Sequence, residues 1–338
     1  MWHTLLNKRI SSFVIVTLVV VAGLASCRRA DKAVEEKSSR NSAQRTFASP
    51  TEAGDALVAA ARAGNPTAVL AIFGPDATDV LFTGDPATDT RKLKSFAAAY
   101  DRMHRWGTIK AGGETLYVGA DNYPFPIPLD RDKAGRWSFD TAAGKDEVLA
   151  RRIGGNELAA VAATEAIADA EQQYFKRPRG ASKVREYAQR FVSDSGTQNG
   201  LHWPVREGET PSPLGPLVDL ATAAGHSDAG DKPQPFNGYI FRILTKQGRT
   251  AKGGARDYIV GGRMTGGFAV IAYPADYQDT GIMTFLIGPE RVVYQKDLGE
   301  KTSETATAMA EYNPGDGWTP LIPRSAEAET RGTSGRRR

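Results

Sequence analysis

The stretch NELAAVAATEAIADAEQQY, residues 156–174, decides how the second half of this 338-residue chain folds. Its apolar residues recur every three or four positions, which is the spacing of one face of an α-helix. The stripe consists of Ala160, Ala163, Ile167, Ala170 and Tyr174. Because an amphipathic helix is stable only when its apolar face is covered, the pattern predicts a long helix with a partner surface elsewhere in the chain.

Five downstream segments can supply that surface. Turns that contain glycine separate most of them, and they lie at residues 239–244, 257–260, 267–273, 282–287 and 292–296. Short apolar strands joined by such turns are typical of antiparallel hairpins. We therefore expect residues 154–322 to form one domain, a helix packed on an antiparallel meander, with a Pro- and Gly-rich insertion at residues 200–238.

The residues just before this stretch are also helical in pattern. A helix is expected from residue 141, capped by Asp140 or Thr141. Gly154-Gly155 predicts a break near Ile153, after which Asn156 caps the next helix.

Helix signals also open the preceding segment, residues 47–153. Ser49 before Pro50 combines a cap with a residue suited to the first helical position, and Asn65-Pro66 repeats the combination. A third helix, ending near Gly107, is predicted from a stripe formed by Leu93, Phe96, Tyr100 and Met103.

Strand signals follow these helices, at residues 115–118, 123–129 and 136–139. In the middle segment proline stands at every second position, so only an edge strand or an extended segment accommodates it. Phe125, Ile127 and Leu129 share one face of that segment. Helices followed by a short curved antiparallel sheet place the whole chain in the α+β class.

The N-terminal order of elements resembles a known fold. An alanine-rich helix, Gly64-Asn65-Pro66, a short apolar helix, and then a curved sheet ending in Gly135, Trp137 and Phe139 are similar to the NTF2-like cone fold over residues 49–140. The resemblance implies a cone that can enclose a small ligand.

The C-terminal part resembles pilin-like globular domains, in which one long helix lies across an antiparallel meander. The similarity rests on the Ala-Glu-Gln-Gln-Tyr helix ending at Tyr174, on Gly238-Tyr239-Ile240-Phe241-Arg242 and on Gly281-Ile282-Met283-Thr284-Phe285. The apolar first half of a pilin helix is missing here, which argues against filament assembly.

Longer phrases resemble an uncharacterised bacterial family, the domain of unknown function 2950. They read PFPIPL at residues 124–129, FDTAAGK at 139–145, PSPLGPL at 211–217 and VYQKDLG at 293–299. The resemblance implies an envelope context and carries no activity.

The start of the chain predicts where the protein is located in the cell. Lys8-Arg9 precedes an uncharged apolar run to Ser26, the pattern of a secretory signal. Leu24-Ala25-Ser26-Cys27 resembles a bacterial lipobox, which implies cleavage after Ser26 and lipidation of Cys27. An uncleaved anchor and an ordinary signal peptide are the alternatives, but the run is shorter than the roughly 20 residues of a spanning helix. Cys27 is also the only cysteine.

These features divide the chain and suggest where it resides. We expect a lipoprotein signal at residues 1–26, a flexible tether at 27–46, the NTF2-like segment at 47–153, the pilin-like domain at 154–322 and a disordered basic tail at 323–338. The protein is expected to be exported and anchored to the membrane through its lipidated N-terminus. Arg28 after the cysteine favours the outer membrane, at its periplasmic face.

Composition narrows the function classes. With 41% hydrophobic and 24% charged residues, the chain is typical of folded proteins. Lys8 and Arg9 are the only charged residues of the signal, so its removal lowers the net charge from +4 to +2, which does not indicate a nucleic-acid partner. An envelope protein or a cell-wall polymer is the expected partner.

Candidate site residues are few. Outside the signal the histidines are His104, His202 and His226, so neither a metal site nor a cofactor is predicted. Tyr100, His104, Trp106 and Trp137 form a candidate pocket, with a surface helix end as the alternative for His104. His202, Trp203 and Arg206 form a candidate loop site, with aromatic residues that simply pin the loop as the alternative.

The glycine-rich stretch GGRMTGG, residues 261–267, matches no phosphate-binding motif and predicts a hairpin turn. Since no catalytic pattern stands out, the sequence favours a non-catalytic binding or assembly protein of the envelope. A small-ligand pocket protein and a hydrolase or isomerase that uses a single histidine are the alternatives.

Overall fold

The structure is a computed structural model that describes residues 44–83, 86–109, 112–178, 183–205, 208–218 and 235–321. The signal, Cys27, most of the tether, Arg206, His226 and the basic tail lie outside these residues. The described residues divide into two compact units, those up to Lys145 and those from Asp146 onward. Helices and antiparallel sheets occur in both units, which confirms the α+β class.

In the first unit the predicted caps are confirmed. Helix α1, Pro50–Arg62, begins where the Ser49 hydroxyl accepts a hydrogen bond from the Glu52 N–H at 3.1 Å. Helix α2, Pro66–Phe73, begins where the Asn65 side chain accepts one from the Ala68 N–H at 3.1 Å. A 3₁₀ turn (Pro75–Ala77) and helix α3 (Thr78–Leu81) lead to helix α4, Pro86–Arg102.

The predicted end of α4 near Gly107 is wrong. The helix ends at Arg102, and strand β1, His104–Thr108, pairs over its whole length with strand β2, Glu114–Val118. The Gly119 N–H donates to the carbonyl oxygens of Ala99 and Met103, at 3.2 and 2.8 Å, and so satisfies the Met103 carbonyl, an acceptor that a continued helix would have used. His104 and Trp106 therefore lie on a strand.

The rest of this sheet follows the predicted segments in part, because the predicted segment 123–129 is divided: residues 125–128 lie outside a strand, and the next strand runs from Leu129 to Arg131. Strands β3 (Tyr123–Pro124), β4 (Leu129–Arg131) and β5 (Trp137–Phe139) complete it, in the order β1-β2-β4-β5 with β3 paired to β2. Ile127 and Leu129 are fully buried. The ring of Phe125 packs near Phe73 and Phe139, with centroids 5.9 and 6.0 Å away.

Helix α5, Thr141–Lys176, is continuous, so the break predicted at Gly154-Gly155 is wrong. Each glycine costs about 1 kcal/mol relative to alanine, which a helix of 36 residues tolerates when packing supports it. Asn156 does not cap a helix; its side-chain amide donates to the Thr280 carbonyl oxygen at 2.9 Å. The Glu157 carboxylate then accepts from two backbone N–H groups at the start of a strand, those of Ile282 and Met283, both at 3.0 Å.

The described residues of the second unit form three sheets. The largest is antiparallel, in the order β15-β13-β12-β11-β6, and consists of β6 (Tyr239–Leu244), β11 (Ala269–Pro274), β12 (Met283–Ile287), β13 (Val293–Asp297) and β15 (Thr319–Pro320). A second contains β7 (Lys246–Gln247), β8 (Arg256–Asp257) and β14 (Glu311–Tyr312), and helix α6 (Thr302–Ala308) precedes β14.

The strand predicted at residues 257–260 is divided, because β8 ends at Asp257 and β9, Ile259–Val260, pairs with β10, Arg263–Met264. Gly261 and Gly262, with φ of +59° and +78°, form the turn between β9 and β10, so the predicted hairpin is confirmed.

The predicted packing of helix on sheet is also confirmed. The C-terminal half of α5 and the large sheet share one core, which includes Ile167, Tyr174, Val270, Ile271 and Leu286. Within the part of the chain that the structure describes, no helix is both long and apolar enough to cross a bilayer.

Candidate functional site

A cleft of about 140 Å³ lies at the C-terminal end of α5. Its lining residues come from the helix end and from two later segments: Gln173, Lys176, Arg177, Trp203, Pro211 and Pro213. The only ionisable side chains among these six are the two cations. This cleft contains one residue of the predicted loop site, Trp203.

The end of α5 supplies the polar wall. Lys176 is the last helical residue, and Pro178 follows two positions later, where it cannot continue the helix. Cations are stabilised at this end because the helix dipole is negative there. The hydroxyl of Tyr174, two residues before Lys176, donates to the Gln198 carbonyl oxygen at 3.1 Å and so ties a later segment to the helix.

That later segment, residues 183–205, is called the strap here. The Tyr187 N–H donates to the Met264 carbonyl oxygen at 2.8 Å, and the Tyr187 ring stacks on Phe175 with centroids 4.5 Å apart. The next residue, Ala188, donates its N–H to the Glu171 carboxyl at 2.8 Å. The strap is thus held to β10 by a main-chain hydrogen bond, and to α5 by the bond to the Glu171 side chain and by ring packing.

Glu171 is fully buried, and its Oε1 has no hydrogen-bond partner among the described residues. Burial raises the pKa of this carboxyl to about 8, opposed only by the bond from Ala188. The side chain is therefore neutral near pH 7, as expected for a carboxyl removed from water without a cation beside it.

Trp203 is held firmly in the cleft wall and is 5% exposed. On its N-terminal side, the His202 backbone exchanges hydrogen bonds with Phe191 and Ser193, at 2.7 and 2.8 Å. The neighbouring Leu201 accepts from the Leu214 N–H at 3.0 Å, which joins the strap to the segment carrying Pro211 and Pro213. The indole is consequently a fixed part of the cleft.

His202 lies beside Trp203 and contacts a hydroxyl. Its Nδ1 is 3.2 Å from the Ser212 Oγ, and Ser212 is 2% exposed. The contact joins the same two segments as the Leu201–Leu214 bond. Arg206, the third residue of the predicted loop site, lies outside the described residues.

The predicted pocket residues occupy the first unit and are packed differently. Tyr100 is 3% exposed, and its ring stacks on His104 with centroids 3.8 Å apart and an interplanar angle of 9°. The His104 Nδ1 is 3.0 Å from the Tyr100 carbonyl oxygen. Burial, with Asp55 adding to it, raises the pKa of the Tyr100 phenol to about 12.

The two tryptophans of that prediction lie on separate strands. Trp106 is on β1, and its Nε1 is buried with no hydrogen-bond partner among the described residues. Trp137 is on β5, where its backbone exchanges hydrogen bonds with Phe47 at 2.8 and 2.9 Å. A Cβ added at Gly54 would lie 2.7 Å from the Tyr100 hydroxyl, so helix α1 packs directly against Tyr100.

Sequence reasoning missed Gln173, Lys176, Arg177 and Glu171. A usable signal existed for Glu171, because it stands four residues after Ile167 and three before Tyr174, within the apolar stripe. The cations carried no such signal, since a Lys-Arg pair at a helix end is normally solvated. Among the described residues no group of three histidine, cysteine or acidic side chains could hold a metal ion.

Comparisons with known proteins give one match. A family model described as "Protein of unknown function (DUF2950)" matches residues 44–321. No curated protein and no solved structure matches the chain. The NTF2-like and pilin-like resemblances are therefore not confirmed.

Proposed function

The chain belongs to the DUF2950 family, and from that premise we propose that it is an exported, lipid-anchored binding protein whose ligand site is the Trp203 cleft. The observation that carries this proposal is the cleft itself, a concave surface with an immobilised indole on one side and two cations on the other. A concave site with a few convergent polar groups is the usual form of a ligand site.

The frame of the cleft supports binding. Its two walls are joined by hydrogen bonds from Leu214 to Leu201 and from Tyr174 to Gln198, at 3.0 and 3.1 Å. A wall fixed in this way loses little conformational entropy when a ligand binds, which favours affinity.

Self-assembly through the large sheet has less support. The outer edge of β6 is already bonded at Tyr239, whose backbone exchanges hydrogen bonds with Phe236 at 2.8 and 3.0 Å. The opposite edge strand, β15, ends in Pro320, which has no N–H to donate. Both features discourage pairing of sheet edges between molecules.

The proposed export and lipid anchoring rest on Ser26-Cys27 and the preceding apolar run. Acyl chains on Cys27 would hold the protein at a membrane, since each buried methylene contributes about 0.8 kcal/mol and two chains make anchoring stable. Mass spectrometry of the mature N-terminus tests the proposed cleavage and lipidation. We expect an acylated Cys27, and a chain that retains Met1 or carries an unmodified Cys27 contradicts it.

Retention on insoluble peptidoglycan tests the binding function. We expect Trp203→Leu to weaken retention of the mature full-length protein about tenfold, because a single buried contact residue in a small site carries much of the binding energy. Trp318→Leu is the matched control, since Trp318 lies in a different groove, with Met309 and Glu311. Equal retention of the wild type and of both variants would argue against the Trp203 cleft.

A hydrolase is a second candidate, favoured by the contact between His202 and Ser212. A histidine beside a serine hydroxyl is the arrangement that activates a nucleophile, although Ser212 is reached only if its segment moves. Labelling with a fluorophosphonate distinguishes the two candidates. Modification of Ser212 that is lost in His202→Ala would support hydrolysis, whereas an unlabelled Ser212 leaves binding as the function.

A further inference from the structure

We propose that Glu171 and Ala188 form a pH-sensitive latch. It holds the first part of the strap, residues 183–189, on α5 while the carboxyl is protonated, and it releases these residues when the carboxyl ionises. Residues 183–189 are called the latch segment below. The latch rests on the contact between Glu171 and Ala188, on the charges around Glu171 and on the shallow packing of the latch segment.

The contact places an ionisable group where water does not reach it. Glu171 is 0% exposed, and its Oε2 accepts a hydrogen bond from the Ala188 N–H at 2.8 Å. Its Oε1 has no hydrogen-bond partner among the residues that the structure describes. An ionised carboxyl in this position would have exchanged its hydration shell for one hydrogen bond, which is strongly unfavourable. The closed latch therefore requires the neutral carboxyl.

The charges around Glu171 do not compensate for its burial. Of the buried residues that the structure describes in the second unit, Glu171 is the only acid or base. The charge of Glu171 acts on Tyr187 of the strap, whose phenol pKa burial raises above its ordinary value near 10, so Tyr187 is neutral from pH 5 to 8. Arg256, on β8, also acts on Tyr187. For Glu171 itself, burial raises the pKa to about 8, opposed only by the bond from Ala188.

The latch segment is packed shallowly enough to leave without unfolding the second unit. Ala188 is its only buried residue, so its release exposes little apolar surface. It is also held by the main-chain bond of Tyr187 to β10 and by the exposed bond from the Gln189 side chain to the Gly262 carbonyl oxygen, at 2.8 and 3.1 Å. Segments with few buried contacts and exposed hydrogen bonds open locally at low free energy.

The direction of the switch follows from the two states of the carboxyl. When the latch segment is released, water reaches Glu171, the proton passes to water, and the pKa returns toward its ordinary value of 4.5. The stabilisation of the closed latch is therefore complete below pH 4.5 and is lost as the pH rises toward 8. Between these values the open population grows by up to about tenfold per pH unit.

Release is transmitted toward the Trp203 cleft, and this step rests on the proposed binding function. The Leu201 and His202 N–H groups donate to the carbonyl oxygens of Arg190 and Phe191, at 3.2 and 2.7 Å. The residues directly after the latch segment are thus bonded to those directly before Trp203. We expect the protein to bind its ligand more weakly when the latch is open.

Amide hydrogen exchange of the mature full-length protein tests the latch. Rates are measured between pH 5 and pH 7 and divided by those of unstructured peptides, which removes the pH dependence of the exchange reaction itself. We expect the protection of Ala188 to fall by up to about tenfold per pH unit and to stay below that of Ile271 in β11. Protection of Ala188 that is independent of pH, or equal to that of Ile271 throughout, would overturn the latch.

Two variants separate Glu171 from the other acids of the chain. Glu171→Gln should make the protection of Ala188 independent of pH, because the amide oxygen still accepts from the Ala188 N–H and never ionises. Glu165→Gln is the matched control, since it neutralises an exposed acid on the same helix, and it should keep the pH dependence of the wild type. Persistence of the pH dependence in Glu171→Gln, or its loss in Glu165→Gln, would contradict the latch.

Retention on insoluble peptidoglycan distinguishes failure of the latch from failure of the proposed function. We expect the wild type to be retained more weakly at pH 8 than at pH 5, and Glu171→Gln to show a smaller difference. If exchange at Ala188 follows pH but retention does not, the coupling to the cleft is overturned and the latch stands. If Trp203→Leu leaves retention unchanged at both pH values, the proposed function fails, while the exchange result still decides the latch.

Discussion

The two histidine–aromatic groups of this protein differ in their surroundings. In the first unit, Tyr100 and His104 stack on each other, and the polar atoms of the pair are directed to Asp55 and to a backbone carbonyl. In the second unit, His202 is bonded to Ser212, and its neighbour Trp203 faces a cleft beside Lys176. An aromatic residue next to a histidine therefore says little about function; what matters is whether the surrounding elements leave space.

The strap that carries His202 and Trp203 is bonded at Ala188 to a buried acid, Glu171. The pH dependence of stability that Glu171 causes is the largest effect that we expect. An acid with a folded-state pKa of about 8 and an unfolded-state value near 4.5 binds its proton more tightly in the folded state. Stability from Glu171 is therefore complete below pH 4.5 and is lost as the pH rises toward 8, by up to about 1.4 kcal/mol per pH unit.

Glu171→Gln should remove this dependence, because an amide oxygen can still accept from Ala188 and never ionises. The measurement is urea unfolding of both proteins at pH 5 and pH 8. We expect the variant to gain stability relative to the wild type as the pH rises. A difference between the two proteins that stays constant across this range would mean that Glu171 is already ionised in the folded state.

Tyr100→Ala tests the stacked Tyr100–His104 pair of the first unit. Removing a buried aromatic side chain leaves a cavity and should cost about 3–5 kcal/mol. Amide hydrogen exchange in α1, which packs against Tyr100, reports the loss within the first unit. Affinity at the Trp203 cleft is the control and should not change; a large loss of ligand affinity would show that the two groups are energetically coupled.

Ser212→Ala should produce the smallest effect. It removes one neutral hydrogen bond between the strap and the segment of Pro211, which costs about 1 kcal/mol. Hydrogen exchange at Leu201 and Leu214 should rise by roughly fivefold, while exchange in α1 stays the same. Unchanged exchange at Leu214 would indicate that the backbone bond to Leu201 alone holds the two segments.

Much of the fold could be predicted because its signals are local. Ser49 and Asn65 cap helices as their neighbours Pro50 and Pro66 suggest, and β6, β11, β12 and β13 lie within a few residues of predicted segments, whereas β15 was not predicted. The site was only partly foreseen. Trp203 was named, but Lys176 and Arg177, which share its cleft, stand 27 and 26 positions earlier in the chain, at a helix end.

Asn65 and Asn156 show where local reasoning stops. Both asparagines follow glycine, yet only Asn65 accepts a hydrogen bond as a cap, while Asn156 donates to Thr280 in the middle of a continuous helix. An asparagine caps a helix only where its own backbone is non-helical, so that the helix begins after it. At Asn156 and Glu157 the helix is continuous, and both side chains instead form hydrogen bonds with residues 280–283.

The sequence by itself determined most of the periodic elements, the caps at Ser49 and Asn65, the α+β class and the family, because each depends on residues a few positions apart or on contiguous segments of sequence. The tertiary structure alone decided that α5 is continuous, that Glu171 is buried and neutral, and that Trp203 meets Lys176 and Arg177. Those features depend on contacts between residues that are distant in the chain, and the energies of such contacts are set by burial and distance rather than by neighbouring residues.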